Sequence, residues 1–480
     1  MILDCGILFF FVGLTLGLVP KPFQHEIRLQ LYDLSDQLII NHNNSRCFIL
    51  QEAIKRFMER FRERQPPLQI TQPQTPSGTI VIVEIEIAQK CDELSQKLWP
   101  EQEMNEQYSI YVKPKTVAIQ TETVWGALRG LETTSQLLYR TKQNLDAMAM
   151  VKMNVLHWHI VDTQSFPYQS YTYPKLSDKG AYDPVAYVYT KIDVERILEY
   201  ARLRGIRVMP EFDTPDHVAS WGLGYPKLLT ECYKEGKPTG VYGPIIPVRT
   251  YTYEFLIRLF EEVMKVFPDK LIHLGGDEVV FDCWQSNPEV LQFMDQMGMG
   301  RNFYLLQSYY TEQLIKLVKR LPPNGRKVIP VVWQEVFENG FRSDEDTIIH
   351  VWKSGWPSMM KRITKAGFRV LFSSCWYLDL ISYGVDWPAY YNCDPTSFNG
   401  TTEEIARVIG GEAALWGEYV DHTNLFSRAW PRGVAVAERL WSFGNLSSTE
   451  FKSRLDEVRC RMIRRGWQAE PGNGPGYCPS

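Results

Sequence analysis

From about residue 150 the chain repeats one unit: a short apolar run, a polar or aromatic cluster, then a helical stretch. The runs are "MNVLHWHIV", "IRVMPEFD", "KLIHLGGDE", "VIPVVWQEV", "TIIHVW", "FRVLFSSCWY" and "RVIGGEAALWGE". Short apolar runs separated by helices suit parallel strands joined by crossovers. A doubly wound sheet would gather its polar residues at one switch point. Here every strand carries them at its carboxyl end, which describes a (β/α)8-type barrel in an α/β chain. Seven strands can be counted, one short of the eight that a closed barrel of this type needs.

Residues 20–140 read as a small α+β N-terminal domain, and 141–480 as the barrel. In the first part "CFILQEAIKRFMERFRER" has helical periodicity, "GTIVIVEIEIA" alternates like a strand, and "YSIYVKPKTVAIQT" suggests two strands about a turn. "VWGALRGLETTSQLLYR" is a helix that closes the domain and packs on the next. Residues 1–19, "MILDCGILFFFVGLTLGLV", form an apolar run broken by Pro20, as in a signal peptide. A membrane anchor is the competing reading, but the run is near the lower length limit for a span. With Cys5 removed, eight of nine cysteines remain, and an oxidising compartment would favour disulfides. No C-x-x-C pair occurs, which argues against a zinc or redox motif. Sequons at Asn43, Asn399 and Asn445 fit a glycosylated secretory protein. A net charge of -4 gives no reason to expect nucleic acid.

The strand ends collect Asp162, Asp213, His217, Asp277, Glu278, Trp333, Glu335, Trp352, Trp376, Tyr377, Trp416 and Glu418. No Ser–His–Asp arrangement or phosphate loop stands out. Asp162, His159 and His217 could in principle bind a metal. The simpler reading puts both imidazoles of His157–His159 on one strand face, with His157 and His273 as hydrogen-bonded core residues. Acids and aromatics at a barrel mouth suggest glycoside hydrolysis, which usually needs two carboxyl groups. Yet "HLGGDEVVFDCW" sets its two acids side by side, and neighbours on a strand leave opposite faces. One of them must have another task.

"MNVLHWHIVD", "EFDTPDH", "IHLGGDEV", "VVWQEV", "SCWYLDLISYG" and "GGEAALWGEYVD" resemble the β-N-acetylhexosaminidases of glycoside hydrolase family 20. The likeness covers nearly the whole chain and is nearest to the lysosomal subunits of animals, β-like in type. It implies a retaining exo-glycosidase that removes terminal β-linked N-acetylglucosamine or N-acetylgalactosamine. The nucleophile is then the substrate's own acetamide oxygen, which forms an oxazolinium ion, a recognised exception to the two-carboxylate scheme. By resemblance Glu278 is the acid, Asp277 orients the acetamide, and His217 bridges Glu278 to Asp162 or a neighbour. Tyr377 donates to the acetamide oxygen. Trp333, Trp352 and Trp416 wall the sugar, Glu418 binds ring hydroxyls, and Asp379 also binds the substrate. The resemblance also implies the pairs Cys47–Cys91, Cys232–Cys283 and Cys460–Cys478, with Cys375 and Cys393 unassigned. It implies no metal and no cofactor, glycans as partners, a homo- or heterodimer with a hexosaminidase subunit, and a lysosomal or secreted location, free of the membrane once the signal is cleaved.

Three departures stand against the resemblance. Relatives carry a further segment of the form PRFxHRGxxxDxxRH, holding the first barrel strand and an Arg that grips the sugar. Here "LLYRTKQ" runs directly into "NLDAMAMVKMNVLHWH". Asp216 stands where relatives usually have Gly, which questions the loop carrying His217, and Ile246 stands where they usually have Asn. A catalytically impaired relative that binds sugar or a partner subunit is the alternative reading.

Overall fold

The structure is a computed structural model that describes residues 33–62, 79–93, 98–113, 115–136, 144–321, 325–380, 382–421, 423–442, 447–476 and 478. The apolar leader and the junction before residue 144 lie outside the described residues.

Strands β1 (Asp33–His42), β2 (Thr79–Ile87), β3 (Tyr108–Lys113) and β4 (Thr116–Thr121) form a sheet in the order β1-β2-β4-β3. In β2, Val83, Ile85 and Ile87 are buried while Glu84 and Glu86 are exposed, as a half-buried strand requires. The helix Phe48–Arg62 lays Ile49, Leu50, Ala53 and Phe57 into the same core, and Val124–Gln136 adds Val124, Ala127, Leu128 and Leu131. β1 was not anticipated from the sequence. "DLSDQLIINH" alternates poorly, and its parallel pairing with β2 comes from residues far along the chain. Arg129, on the second helix, pairs with Glu106 and donates to the carbonyls of Arg204 and Gly205 at 3.0 and 2.9 Å. That ties this unit to the next.

The second unit is a parallel sheet of seven strands. They are β5 (Val155–Val161), β6 (Arg207–Phe212), β9 (Leu271–His273), β10 (Ile329–Trp333), β11 (Ile348–Val351), β12 (Arg369–Phe372) and β13 (Val408–Gly411). Each expected strand is present, and each pairs with its neighbour in this order. β7 (Leu229–Lys234) and β8 (Lys237–Ile245) form an unanticipated hairpin in the loop after β6. β6 is buried along its whole length, as a strand covered on both faces must be.

The sheet curls but does not close. Among the described residues β5 and β13 are its two edges, with no strand between them. Side chains span the seam instead. His157 on β5 makes two 3.0 Å contacts to the carboxylate of Glu412, one residue past β13. Trp430 Nε1 donates to Asn144 Oδ1 at 3.0 Å, and Trp441 Nε1 to the carbonyl of Lys152 at 2.8 Å. The chain before β5 is thus fastened to the C-terminal helices.

Four disulfides are formed: Cys47–Cys91, Cys232–Cys283, Cys460–Cys478 and Cys375–Cys393. The last joins the two cysteines left unassigned above. It holds the segment before Tyr377 to the end of the helix Trp387–Asn392. Among the described residues no helix is long and apolar enough to cross a membrane. Asn399 is exposed, whereas the carboxamide of exposed Asn43 donates to and accepts from the backbone of Ile87. Asn445 lies outside the described residues.

Candidate active site

β9 stops at His273, and the chain turns sharply through Gly275 and Gly276, with φ of 73° and 101°. Only glycine fits here. A Cβ on Gly275 would lie 1.5 Å from Asp213 Oδ1, and the Gly276 amide donates to that same oxygen at 2.9 Å. Asp277 and Glu278 therefore sit on a loop beyond the strand. The strand-face argument made from sequence does not apply to them. They part for another reason: Glu278 has φ 47°, a left-handed conformation that turns its side chain away from its neighbour's. The Asp277 side chain is 12% exposed and that of Glu278 59% exposed. One acid faces the pocket floor and the other faces outward.

Asp277 lies beside Asp213, which is buried at the end of β6. Burial and the neighbouring Asp277 and Glu211 push Asp213 well above the carboxylate range. Asp213 is thus the protonated member, and its hydrogen bond leaves Asp277 as acceptor. Burial raises Asp277 itself to about 6, opposed by His217 and by the bond from Asp213. Asp213 was seen as a strand-end acid in the sequence, but this pairing was not. It needs β6 and the β9 loop side by side.

His217 is also left-handed, with φ 59°. Its Nδ1 lies 3.2 Å from Asp162 Oδ1, and its Nε2 lies 3.7 Å from Asp277 and 3.8 Å from Glu278. Burial works against its charge, but Asp162 and then Asp277 raise it to about 9. Burial also works against Asp162, yet His159 and His217 hold it below the usual range. The doubt raised by Asp216 is resolved by its contacts. One oxygen accepts the His217 amide at 3.0 Å and the other accepts the Val280 amide at 2.8 Å. The carboxylate pins together the two loops that carry His217 and Glu278. Ile246 is fully buried in a small apolar cluster with Trp284 and Phe303.

The aromatic residues form the other side. Trp333 is deepest: it is 2% exposed, stacks on His350 and donates to Glu211 at 2.9 Å. Trp352 meets it edge-on at 6.4 Å and donates to Glu335 at 3.0 Å, with Tyr377 6.4 Å away. Lys353 pairs with Glu335 at 2.9 Å. The Trp416 amide donates to Asp379 at 3.2 Å, and its ring meets His159 edge-on at 4.9 Å. Glu418 is exposed at the rim, and its charge is felt by Asp379. Trp376 points away into the core, donating to the carbonyl of Tyr390.

Among the described residues four trios have ligand atoms close enough for one metal ion: His157–His350–Glu412, His157–Glu211–His273 and Asp213–His217–Asp277 here, and Cys47–Cys91–Glu93 in the first unit, whose cysteines form a disulfide. Glu211, Glu412 and His350 escaped the sequence reading. Glu211 and Glu412 lie within the quoted stretches "EFDTPDH" and "GGEAALWGEYVD", but their meeting with the imidazoles becomes visible only when the strands stand side by side.

The model of the catalytic domain of glycosyl hydrolase family 20 matches residues 138–443, and a β-acetyl hexosaminidase-like model matches residues 18–137. The chain is 43% identical to the β subunit of β-hexosaminidase from Felis catus, over 96% of this chain and 94% of that one. It is 41% identical to the α subunit from Bos taurus, over 98% and 96%. The feline alignment runs over 514 positions, more than the 480 residues of this chain, so the relative holds residues without a counterpart here. A chitobiase of Flavobacterium johnsoniae superposes with a TM-score of 0.78 at 27% identity, over 94% of this chain and 73% of the other. A β-N-acetylhexosaminidase of Streptomyces coelicolor shares the fold with a TM-score of 0.71 at 19% identity, over 96% and 99%. A (β/α) barrel that gathers its acids and tryptophans at the strand ends, with matches of this extent on both units, is a member of glycosyl hydrolase family 20, and this chain belongs to that family.

Proposed function

We propose that the chain is a retaining exo-β-N-acetylhexosaminidase that cleaves terminal N-acetylglucosamine or N-acetylgalactosamine with the help of the substrate's acetamide. The observation behind this reading is the split between adjacent acids. Asp277 is inward, held as acceptor by Asp213, and suited to an acetamide N–H. Glu278 is outward, within reach of His217, and suited to protonating a leaving oxygen and later activating water. Holding an internal nucleophile in place is worth roughly 7–11 kcal/mol of barrier at best. Tyr377 would donate to the acetamide oxygen, Trp333, Trp352 and Trp416 would enclose it, and Asp162, Glu418 and Asp379 would face the ring hydroxyls. The same reading takes residues 20–140 as a supporting domain and 141–480 as the catalytic one. It gives the chain a second hexosaminidase subunit as partner and a lysosomal or extracellular location.

Asp277→Ala is expected to slow turnover of 2-acetamido glycosides by about 10²-fold, because the acetamide is no longer aimed at the anomeric carbon. A thiazoline that mimics the oxazolinium ion should inhibit the parent and bind the variant poorly. Equal inhibition of both would reject assistance by the substrate.

Neutral sugars should be cleaved faster than 6-sulfated ones. "WYLDL" sets Asp379 and exposed Leu380 where the sulfate-accepting subunit type carries Asn and Arg. A carboxylate repels a sulfate, and no guanidinium from this stretch offsets it. Side-by-side rates on the two substrates decide, and a faster sulfated substrate would overturn this specificity.

A further inference from the structure

Beneath the proposed acid lies an unbroken chain of alternating carboxylates and imidazoles. Glu412 meets His157 at 3.0 Å, and His157 Nε2 meets Glu211 at 2.7 Å. Glu211 meets His159 Nδ1 at 3.1 Å, and His159 Nε2 meets Asp162 at 3.3 Å. Asp162 meets His217 at 3.2 Å, and His217 lies 3.8 Å from Glu278. A side branch runs from Glu211 to His273 at 3.0 Å and on to His350 at 3.3 Å. Glu211 is wholly buried, and three imidazoles and the Trp333 indole converge on it.

We propose that Glu211 is a positioning residue for the reaction, acting on His217 and Glu278 through His159 and Asp162. Glu211 stands against the Nδ1 side of the His159 ring and Asp162 against its Nε2 side, so the ring lies between two carboxylates. Asp162, gripped from both flanks, then sets the ring of His217. Charge travels the same way. Burial opposes it, but Glu211 and Asp162 raise His159 to about 10, so His159 is a cation under working conditions. Burial, helped by the charge of His157, lowers His273, and burial with His273 and His157 takes His350 to about 3, so the side branch favours neutral imidazoles. The arrangement is thus an alternating row of charges whose inner members bias the outermost imidazole.

His217 also faces Asp216 and Asp277, and Asp277 in turn faces Asp213 and Glu335, which is paired with Lys353. Asp216, Glu335 and Lys353 keep these contacts when Glu211 or His159 is altered, while Asp213 and Asp277, which also feel the Glu211 charge, ionise more readily when it is removed and offset part of the shift. Removing the Glu211 charge makes the environment of His217 more positive by one unit, and removing the His159 charge makes it more negative by one. The two changes must therefore move His217 in opposite directions. A loosened fold would move it the same way in both.

The test uses the full chain with isotope-labelled histidine, which carries eight such residues. The titration midpoint of His217 is followed by NMR, so the readout does not need turnover. Glu211→Gln should lower the midpoint by about half a pH unit, and His159→Gln should raise it by about as much. Glu211→Asp, which keeps the charge, should leave it in place. The alkaline limb of hydrolysis should follow in the same directions, and this second readout rests on the function proposed above. If the parent hydrolyses nothing, that function fails while the NMR titration still decides the coupling. Should Glu211→Gln not fold, His159→Gln carries the test alone. A midpoint within about 0.1 unit of the parent in a folded variant, or shifts of one sign in both, would overturn the proposal. So would stoichiometric zinc binding by the parent that disappears in Glu211→Gln, because the His157–Glu211–His273 trio would then be a metal centre.

Discussion

Glu278→Gln is expected to lower hydrolysis of aryl β-N-acetylglucosaminides by roughly 10²–10⁴-fold, the usual value of a positioned acid. The substitution preserves size and the left-handed backbone at φ 47°. It removes only the exchangeable carboxyl proton. The side chain is 59% exposed and forms no close contact beyond the 3.8 Å approach to His217, so the melting temperature should not change. That separates chemistry from folding, which a buried acid would not allow. The comparison should be run on the chain as it stands and on one carrying the relatives' additional barrel segment, in case the shorter form turns over slowly. Activity within about tenfold of the parent in both backgrounds would remove Glu278 as the acid.

The chain with that segment restored should be more active and more stable than the present one. Strand number, tilt and stagger are linked in a barrel, and among the described residues β5 and β13 each pair on one side only. The clasp between His157 and Glu412 replaces a strand's ladder of backbone hydrogen bonds with one ion pair. The segment also brings an Arg, and a charge-assisted pair of guanidinium N–H groups on sugar hydroxyls is among the stronger contacts available. Losing such a partner costs about 2 kcal/mol, or roughly 30-fold in turnover at low substrate. Both versions would be expressed in a eukaryotic secretory host and compared for yield, melting and kcat/KM. Equal melting and equal kcat/KM would show that the eighth strand is dispensable in this chain.

The barrel was legible because its pattern is local. Seven apolar runs with polar ends need no knowledge of the remainder of the chain, and each became a strand. β1 and the β7–β8 hairpin were not legible, because their pairing rather than their composition makes them strands. The resemblance named the outer acids and aromatics. It did not reveal that Asp213 holds the proton beside Asp277, that Asp216 staples two loops, or that Glu211 stands under three imidazoles. Those are meetings between residues tens of positions apart. The error over Asp277 and Glu278 had the opposite cause. Strand alternation was extended past two glycines that end the strand.

His217 and Glu278 both hold left-handed backbone conformations that non-glycine residues adopt at a cost of about 1 kcal/mol or more each. At Glu278 the side chain contributes little to packing, so Glu278→Gly should melt above the parent while hydrolysing almost nothing. A lower melting point would show that the turn is not strained. The consequence reaches beyond one variant. A library of this chain selected for heat resistance alone would drift toward inert members, because the residue that completes the site is one that the fold would rather do without.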